Sequence, residues 1–364
     1  MSKKALNISG IILSFFIGVI AMYLVVLKYP MNTGDTTSTK TSKNVTVTDT
    51  GIADAVEKLY DAVVVVGSYK EGTLASSGTG FVYKIENDSA YIITNHHVVD
   101  GATSVKIKQS NDTIEDVELV ASDKYADIAV LKINKDKVLA VAEIGSSEKT
   151  RAGDTVFTIG GPLSDEYSWT VTRGVLSGKE RLVEVSVSNT NSADWVMSVL
   201  QTDASINNGN SGGPLANANG EVIGVTNMKL VSSGVEGMGF AIPIEDAINY
   251  ANQLVSDGKI VRPFLGVSMG SVNDAYSLYH YGITVDEDIK SGVVVVETQE
   301  KSPAAKAGLV KGDVIIKLED YDITTVAKLK YYLYKYNVGD KVKITYIRNG
   351  KTHTTTVTLA ESTN

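Results

Sequence analysis

The chain has 364 residues, 43% of them hydrophobic and 21% charged, which is ample for packed cores and enough length for two or three domains. A formal net charge of −8 with no long basic stretch argues against nucleic acid as a partner. Cysteine is absent, which excludes a disulfide framework, thiol chemistry and a cysteine-based metal site; no His/Asp/Glu cluster has metal-ligand spacing, and neither metal nor cofactor is expected.

The first feature in chain order is residues 8–27, a stretch without a charge. As a helix it spans about 30 Å, the hydrocarbon thickness of a bilayer. Lys3 and Lys4 precede it and Lys28 alone follows, so the positive-inside rule sets residues 1–7 in the cytoplasm and the bulk of the chain outside. The alternative is a cleaved signal peptide. The apolar run is long for that, and no clear A-x-A site follows, so an uncleaved signal anchor is expected. Residues 28–50 read as a linker. Half of positions 31–50 are Ser or Thr and none is aromatic, so the segment cannot bury enough apolar surface to fold. As a flexible coil it spans roughly 25 Å. A short helix is predicted over residues 54–61, before the first strand.

Ala90-Tyr91-Ile92-Ile93 reads as a buried strand that runs into Thr94-Asn95-His96-His97-Val98-Val99. A histidine at the end of such a strand projects into a cleft from a fixed base. Asp127 opens a second apolar run, Ile128-Ala129-Val130-Leu131, which places its carboxylate partly out of water. That suits a group that hydrogen-bonds an imidazole and stabilises its charged form. Further on stands Asn208-Gly209-Asn210-Ser211-Gly212-Gly213-Pro214-Leu215. Glycines hold the serine on a tight turn and let backbone N–H groups converge into an anion-binding nest. A serine on a glycine-rich turn is unremarkable alone, and its hydroxyl is a weak nucleophile without a base. With His97 and Asp127 in matching contexts it becomes a candidate nucleophile. The order His, Asp, Ser is that of chymotrypsin-type folds, and not of subtilisins or α/β-hydrolases.

These three blocks resemble the active-site blocks of the HtrA (DegP/DegQ/DegS-like) serine protease family. The resemblance runs from about Gly51 to the C-terminus, and further blocks support it: Ser77-Gly78-Thr79-Gly80-Phe81, Ile159-Gly160-Gly161-Pro162, Thr170-Val171-Thr172-Arg173-Gly174 and Gly239-Phe240-Ala241-Ile242-Pro243. One departure is Gly161, where the family usually has asparagine. The resemblance selects His97, which directly precedes the two valines, over His96, which reads as a polar residue at a strand end. It implies that His97 is the base, Asp127 its orienting acid and Ser211 the nucleophile. Gly209, Asn210 and Ser211 would supply the oxyanion hole, whose glycine-rich loop can switch shape. Ile206, Thr226, Asn227 and Met228 are specificity-pocket candidates, with the stretch Met238-Gly239-Phe240. No acid stands where a pocket for basic side chains would need one, so cleavage after small or medium apolar residues is expected, on unfolded chains where such residues are accessible.

Past residue 256 the pattern changes. Arg262-Pro263-Phe264-Leu265-Gly266-Val267 begins a strand, and Val293-Val294-Val295-Val296 is a buried one. Ser302-Pro303-Ala304-Ala305-Lys306-Ala307-Gly308 reads as a short helix with a serine cap, proline in the first turn and glycine at the end. Residues 325–336 read as an amphipathic helix, with the tyrosines Tyr331, Tyr332, Tyr334 and Tyr336 packing into the core. Residues 342–347 and 354–359 flank the hairpin signal Asn349-Gly350. This order resembles a PDZ domain of the bacterial HtrA type, which implies that Phe264, Leu265, Gly266 and Val267 form a carboxylate-binding loop beside a strand that pairs with C-terminal peptides. Residues 268–291 read as an insertion.

The expected fold is mainly β: a transmembrane helix over 8–27, a trypsin-like double β-barrel protease domain over 51–256 and a PDZ domain over 257–364. The resemblance implies a membrane-anchored serine endopeptidase on the outer side of a bacterial cell membrane. It would degrade unfolded or misfolded exported proteins, bind C-terminal peptides and assemble as a homotrimer. Two other readings are a regulatory protease gated by a peptide at the PDZ domain and a catalytically silent anchored chaperone or scaffold.

Overall fold

The structure is a computed structural model that describes Lys28 and residues 49–161, 169–185, 195–207, 209–227 and 237–361. The expected membrane span, most of the linker, Asn208 and Met228 lie outside the described residues. Among the described residues no helix is long and apolar enough to cross a membrane.

The first helix, α1 (Asp49–Tyr60), begins ahead of its predicted start and buries Ile52, Ala55 and Leu59. Their spacing places all three on one helical stripe. Strands β1 (Val63–Lys70), β2 (Thr73–Glu86), β3 (Ser89–Thr94), β4 (Ser104–Lys108), β5 (Ile114–Asp123) and β6 (Ile128–Asn134) form an antiparallel closed barrel in the order β1-β2-β3-β6-β5-β4. Val65 opposite Lys108 closes it. A second closed barrel has the order β10-β11-β12-β9-β8-β7 and is built from β7 (Thr155–Gly160), β8 (Thr170–Val185), β9 (Trp195–Thr202), β10 (Pro214–Asn217), β11 (Val222–Thr226) and β12 (Gly239–Pro243).

Side-chain alternation along β2 and β3 explains how the barrels join. Val82 and Ile92 fill the first barrel with Val64, Val66, Ile107 and Leu131. Their chain neighbours Phe81 and Ile93 point the other way. They enter a second cluster that contains Phe157, Ile159 and Val225 of the second barrel. The end of β3 therefore lies at the seam between barrels. The predicted strand-end histidines sit one step further on, in a single-turn helix α2 (His96–Val99) whose Val98 and Val99 anchor it in the first barrel. Helix α3 (Ile244–Asp257) packs Ala247, Ala251 and Leu254 inward and ends at Gly258, whose φ of 70° is the left-handed stop that glycine favours.

The remaining elements form a second compact core. Strands β14 (Val267–Ser271), β15 (Val293–Thr298), β16 (Val314–Leu318), β18 (Lys341–Arg348) and β19 (Lys351–Thr358) follow one another in that order in a sheet, with β17 (Tyr321–Asp322) beside β16. A separate pair joins β13 (Pro263–Phe264) to β20 (Ala360–Glu361). Asn349 and Gly350, at φ 51° and 70°, make the β18–β19 hairpin turn. Residues 268–291, read from sequence as an insertion, are structured. They carry β14 and α4 (Ala275–His280), whose Leu278 packs with Ile283 against Val294 and Val296. Helix α5 (Pro303–Lys306) has the predicted cap, Ala305 N–H donating to Ser302 Oγ at 3.1 Å. Helix α6 (Val326–Leu333) stops short of its predicted end. Beyond it the Tyr334 ring packs against the local core and also meets Trp195 of β9 in a tilted pair, with centroids 5.1 Å apart.

Candidate active site

Asp127 is placed by backbone geometry before its side chain is considered. It sits at φ 51°, a left-handed conformation that aspartate tolerates better than most residues. Asn95 Nδ2 donates to its carbonyl at 2.8 Å and fixes the bend. The carboxylate then accepts three hydrogen bonds. His97 N–H donates to Oδ1 at 3.0 Å, and His97 Nδ1 lies 2.7 Å from Oδ2. Asn227 Nδ2 donates to the same Oδ2 at 2.8 Å. Burial pushes the carboxyl pKa up, but the bonds from His97 and Asn227 outweigh it and hold the group below the usual carboxylate value. The aspartate thus stays ionised while almost wholly buried. With Nδ1 bound, His97 is left with Nε2 for a second partner. His96 has a different setting, its Nδ1 2.9 Å from Ser122 Oγ.

Ser211 stands on a loop between the barrels and is itself buried. Gly209 and Gly212, at φ 102° and 84°, make the turns on either side. A Cβ on Gly212 would lie 2.3 Å from Thr79 O, so glycine is required there on both counts. Thr79 of β2 grips the loop from the first barrel. Its N–H donates to Ser211 O at 2.9 Å and its Oγ1 to Gly209 O at 2.6 Å. Gly161 N–H donates to that hydroxyl oxygen at 3.1 Å. Gly161 is also where a Cβ would press to 2.6 Å from Val65 Cγ2, which gives the sequence departure at this position a packing reason. Thr226 of β11 holds the loop from the second barrel, its Oγ1 2.5 Å from Asn210 O.

The structure brings His97, Asp127 and the Ser211 loop to one seam, but several other predicted roles change. The Asn210 N–H donates to Asn207 O at 3.0 Å, so in this structure it does not face a substrate oxyanion. Thr226 and Asn227, specificity-pocket candidates, are both fully buried, with side chains bound to the serine loop and to Asp127. Met228 lies outside the described residues. Ile206 is close to Gly239, where a Cβ would come within 2.5 Å of Ile206 Cγ1, so Gly239 opens the space beside it. Thr79 went unassigned at the sequence level. Its only signal was its block, Ser77-Gly78-Thr79-Gly80, and its partner Gly209 is 130 positions away.

In the C-terminal half, Phe264 pairs on one side with Ala360. Leu265 O accepts from Ala304 N–H and Gly266 O from Gln299 N–H, both at 2.9 Å, so these carbonyls face inward. Gly266 has φ 78°, and a Cβ there would be 2.2 Å from Ser302 Cβ. Val267 begins β14, which is the first strand in the sheet order and packs beside α6.

Comparison with known proteins agrees with both halves of the molecule. The profile of the trypsin-like peptidase domain matches residues 78–225 and that of the PDZ domain matches residues 263–359. The chain is 42% identical over 330 residues to the serine protease Do-like HtrB of Bacillus subtilis, covering 86% of this chain and 71% of that one. It is 37% identical over 360 residues to the serine protease Do-like HtrA of Lactococcus lactis subsp. cremoris, covering 91% and 88%. Among solved structures it resembles the HtrA-type protease AlgW with decapeptide, at TM-score 0.65 and 26% identity over 86% of this chain and 99% of that one. It also resembles the serine endoprotease from Yersinia pestis, at TM-score 0.62 and 29% identity over 85% and 98%. The chain belongs to the HtrA/DegP family of Do-like serine proteases and is a trypsin-like serine endopeptidase with a PDZ domain.

Proposed function

We propose that this protein is an extracytoplasmic quality-control endopeptidase that cuts unfolded or misfolded exported proteins through an acyl-enzyme. The observation that carries the reading is the 2.7 Å contact between His97 Nδ1 and a buried, ionised Asp127 at the barrel seam. In this mechanism His97 Nε2 takes the proton of Ser211 Oγ as the oxygen attacks the scissile carbonyl. Asp127 keeps the proton on Nδ1 and stabilises the imidazolium that forms. The N–H groups of Gly209 and Ser211 receive the negative oxygen of the tetrahedral intermediate. His97 then returns its proton to the leaving amine, and water, deprotonated by the same histidine, releases the acyl group. Ile206 at the pocket wall favours small or medium apolar side chains.

Residues 8–27 are the proposed anchor, with residues 1–7 cytoplasmic and both folded domains outside. Assembly as a homotrimer is part of the same reading. It is supported by an open apolar groove on α1 lined by Ile52, Val56, Tyr60 and Val171, of about 600 Å3. C-terminal peptides are the proposed ligands of the PDZ domain, adding to the free edge of β14. A gated, site-specific protease is the second reading. The Tyr334–Trp195 ring contact favours it, because it joins the end of α6 to a protease strand.

The test is cleavage of a permanently unfolded protein by the full chain in lipid vesicles, beside its Ser211→Ala twin. Cleavage by the first alone supports the endopeptidase. Cleavage that starts only when an apolar C-terminal peptide is added favours the gated reading. No difference between the two chains, with or without peptide, identifies an anchored binding protein instead.

A further inference from the structure

Thr226 is the last residue of β11, fully buried, and its backbone forms a complete rung with the serine loop. Its N–H donates to Gly213 O and its carbonyl accepts from Gly212 N–H, both at 2.9 Å. The hydroxyl is a third link. It lies 2.5 Å from Asn210 O and 3.1 Å from Gly213 O. A threonine hydroxyl has one proton to give. Each oxygen already accepts one backbone N–H, Asn210 O that of Gly213 and Gly213 O that of Thr226, so distance decides and the proton goes to the nearer acceptor, Asn210 O.

That acceptor belongs to the peptide unit whose other end is the Ser211 N–H. In a trans peptide the C=O and the following N–H are coplanar and point in opposite directions. Drawing the Asn210 oxygen toward β11 therefore turns the Ser211 N–H to the opposite side of the loop. The preceding unit behaves alike. Thr79 Oγ1, from the other barrel, binds Gly209 O at 2.6 Å, and the N–H of that unit points the opposite way, to Asn207 O at 3.0 Å. Between the positive-φ glycines Gly209 and Gly212 the loop has little intrinsic preference for one peptide orientation. Two buried hydroxyls, one from each barrel, supply it together with the Gly213 N–H on Asn210 O.

We propose that Thr226 is a positioning residue for the oxyanion hole: its hydroxyl sets the Asn210–Ser211 peptide plane and so aims the Ser211 N–H, with Thr79 as its counterpart on the Gly209–Asn210 plane. The proposal rests on the endopeptidase mechanism above, in which the Ser211 N–H receives the oxyanion. Thr226 touches no substrate; it acts through the backbone of the nucleophile.

The experiment compares the full-length native chain with Thr226→Val, which keeps the shape and loses the hydroxyl, and Thr226→Ser, which keeps the hydroxyl. The readouts are kcat and KM on a peptide amide, and affinity for a peptide boronic acid, whose tetrahedral adduct places an oxygen in the oxyanion hole. Affinity for the matching cleavage-product peptide serves as a ground-state reference. Outright loss of an oxyanion donor lowers kcat about 10²–10³-fold. Misaiming one, with Gly213 N–H still on Asn210 O, should lower it by about 10- to 100-fold in Thr226→Val. Boronate affinity should fall in parallel, KM and product affinity should stay within about threefold, and Thr226→Ser should recover most of the loss. Unchanged kcat and boronate affinity in Thr226→Val would overturn the proposal, and so would a loss carried by KM or an equal loss in the serine variant. Should Thr226→Val not fold, Thr226→Ala is compared with Thr226→Ser on the same readouts, and equal kcat in those two overturns it. A native chain no more active than Ser211→Ala overturns the endopeptidase reading itself, a result separate from any difference among the Thr226 variants.

Discussion

Arg262 and Asp123 tie the PDZ domain to the protease domain through a two-pronged ion pair, Nη1 to Oδ2 at 2.6 Å and Nη2 to Oδ1 at 2.8 Å. The guanidinium also lies 5.4 to 5.7 Å from the ring centroids of Tyr125, Trp195 and Tyr334. Planarity serves both functions, since one face can meet rings while the edge engages a carboxylate. Asp123 in turn accepts from Tyr125 and Ala126 N–H, so the pair is braced on the segment that leads to Asp127. Arg262→Ala should therefore cost about 1.5–3 kcal/mol, the scale of hydrogen bonds to charged groups. Calorimetry should show the two domains melting less cooperatively. Arg262→Lys should recover less than half, because an ammonium cannot make the fork.

Asp127→Asn should lower kcat by about 10⁴-fold while leaving the fold in place. The amide would present a donor where His97 Nδ1–H and Asn227 Nδ2 already donate, and the imidazole would take the wrong tautomer. The same variant has a pH signature. The carboxyl pKa is held down in the folded state. Its contribution to stability is therefore complete above the ordinary carboxylate value of about 3.9 and is lost as pH falls from there through the lowered value. Thermal unfolding midpoints of Asp127→Asn should vary less with pH across that acid window than those of the native chain.

Asn227→Ala should flatten the same acid limb part of the way, in the same sense as Asp127→Asn. It removes one of the bonds that offset burial, so the Asp127 carboxyl should rise toward its ordinary value and the pH window over which acid removes stability should narrow. A buried acceptor left one bond short costs about 1–3 kcal/mol. The check is unfolding as a function of pH, with kcat on a peptide amide as a second readout. Equal acid limbs in variant and native chain would refute the assignment.

Gly266→Ala should abolish peptide binding by the PDZ domain without touching the protease chemistry. The new Cβ would meet Ser302 Cβ at 2.2 Å in a backbone held at φ 78°, so the loop before β14 must move. Fluorescence anisotropy with a labelled apolar C-terminal peptide should show the loss. Labelling of Ser211 by a small phosphonate should continue at the native rate.

Local chemistry made much of this molecule legible in its sequence. Runs of β-branched residues gave the strands around His97 and Asp127, glycines marked the turn at Ser211, and Ser302, Pro303 and Asn349-Gly350 punctuated the second domain. Each of these signals acts within a few residues, which is the range over which backbone preference and side-chain alternation operate. Other contacts leave no such signal. Residues 268–291 read as an insertion because the burial of Leu278 and Ile283 depends on strands further along the chain. Tyr334 packs in its own domain as expected, but its second partner, Trp195, lies in the other domain and left no local signal. Thr226 and Asn227 were placed in the specificity pocket, yet their hydroxyl and amide meet Asn210 and Asp127, 16 and 100 positions away. Barrel closure and strand register bring such polar atoms together. A hydroxyl or an amide looks alike in sequence whether it meets substrate, water or a backbone carbonyl. The composition of the site was thus determined locally, while the supports that orient it were decided only by tertiary structure.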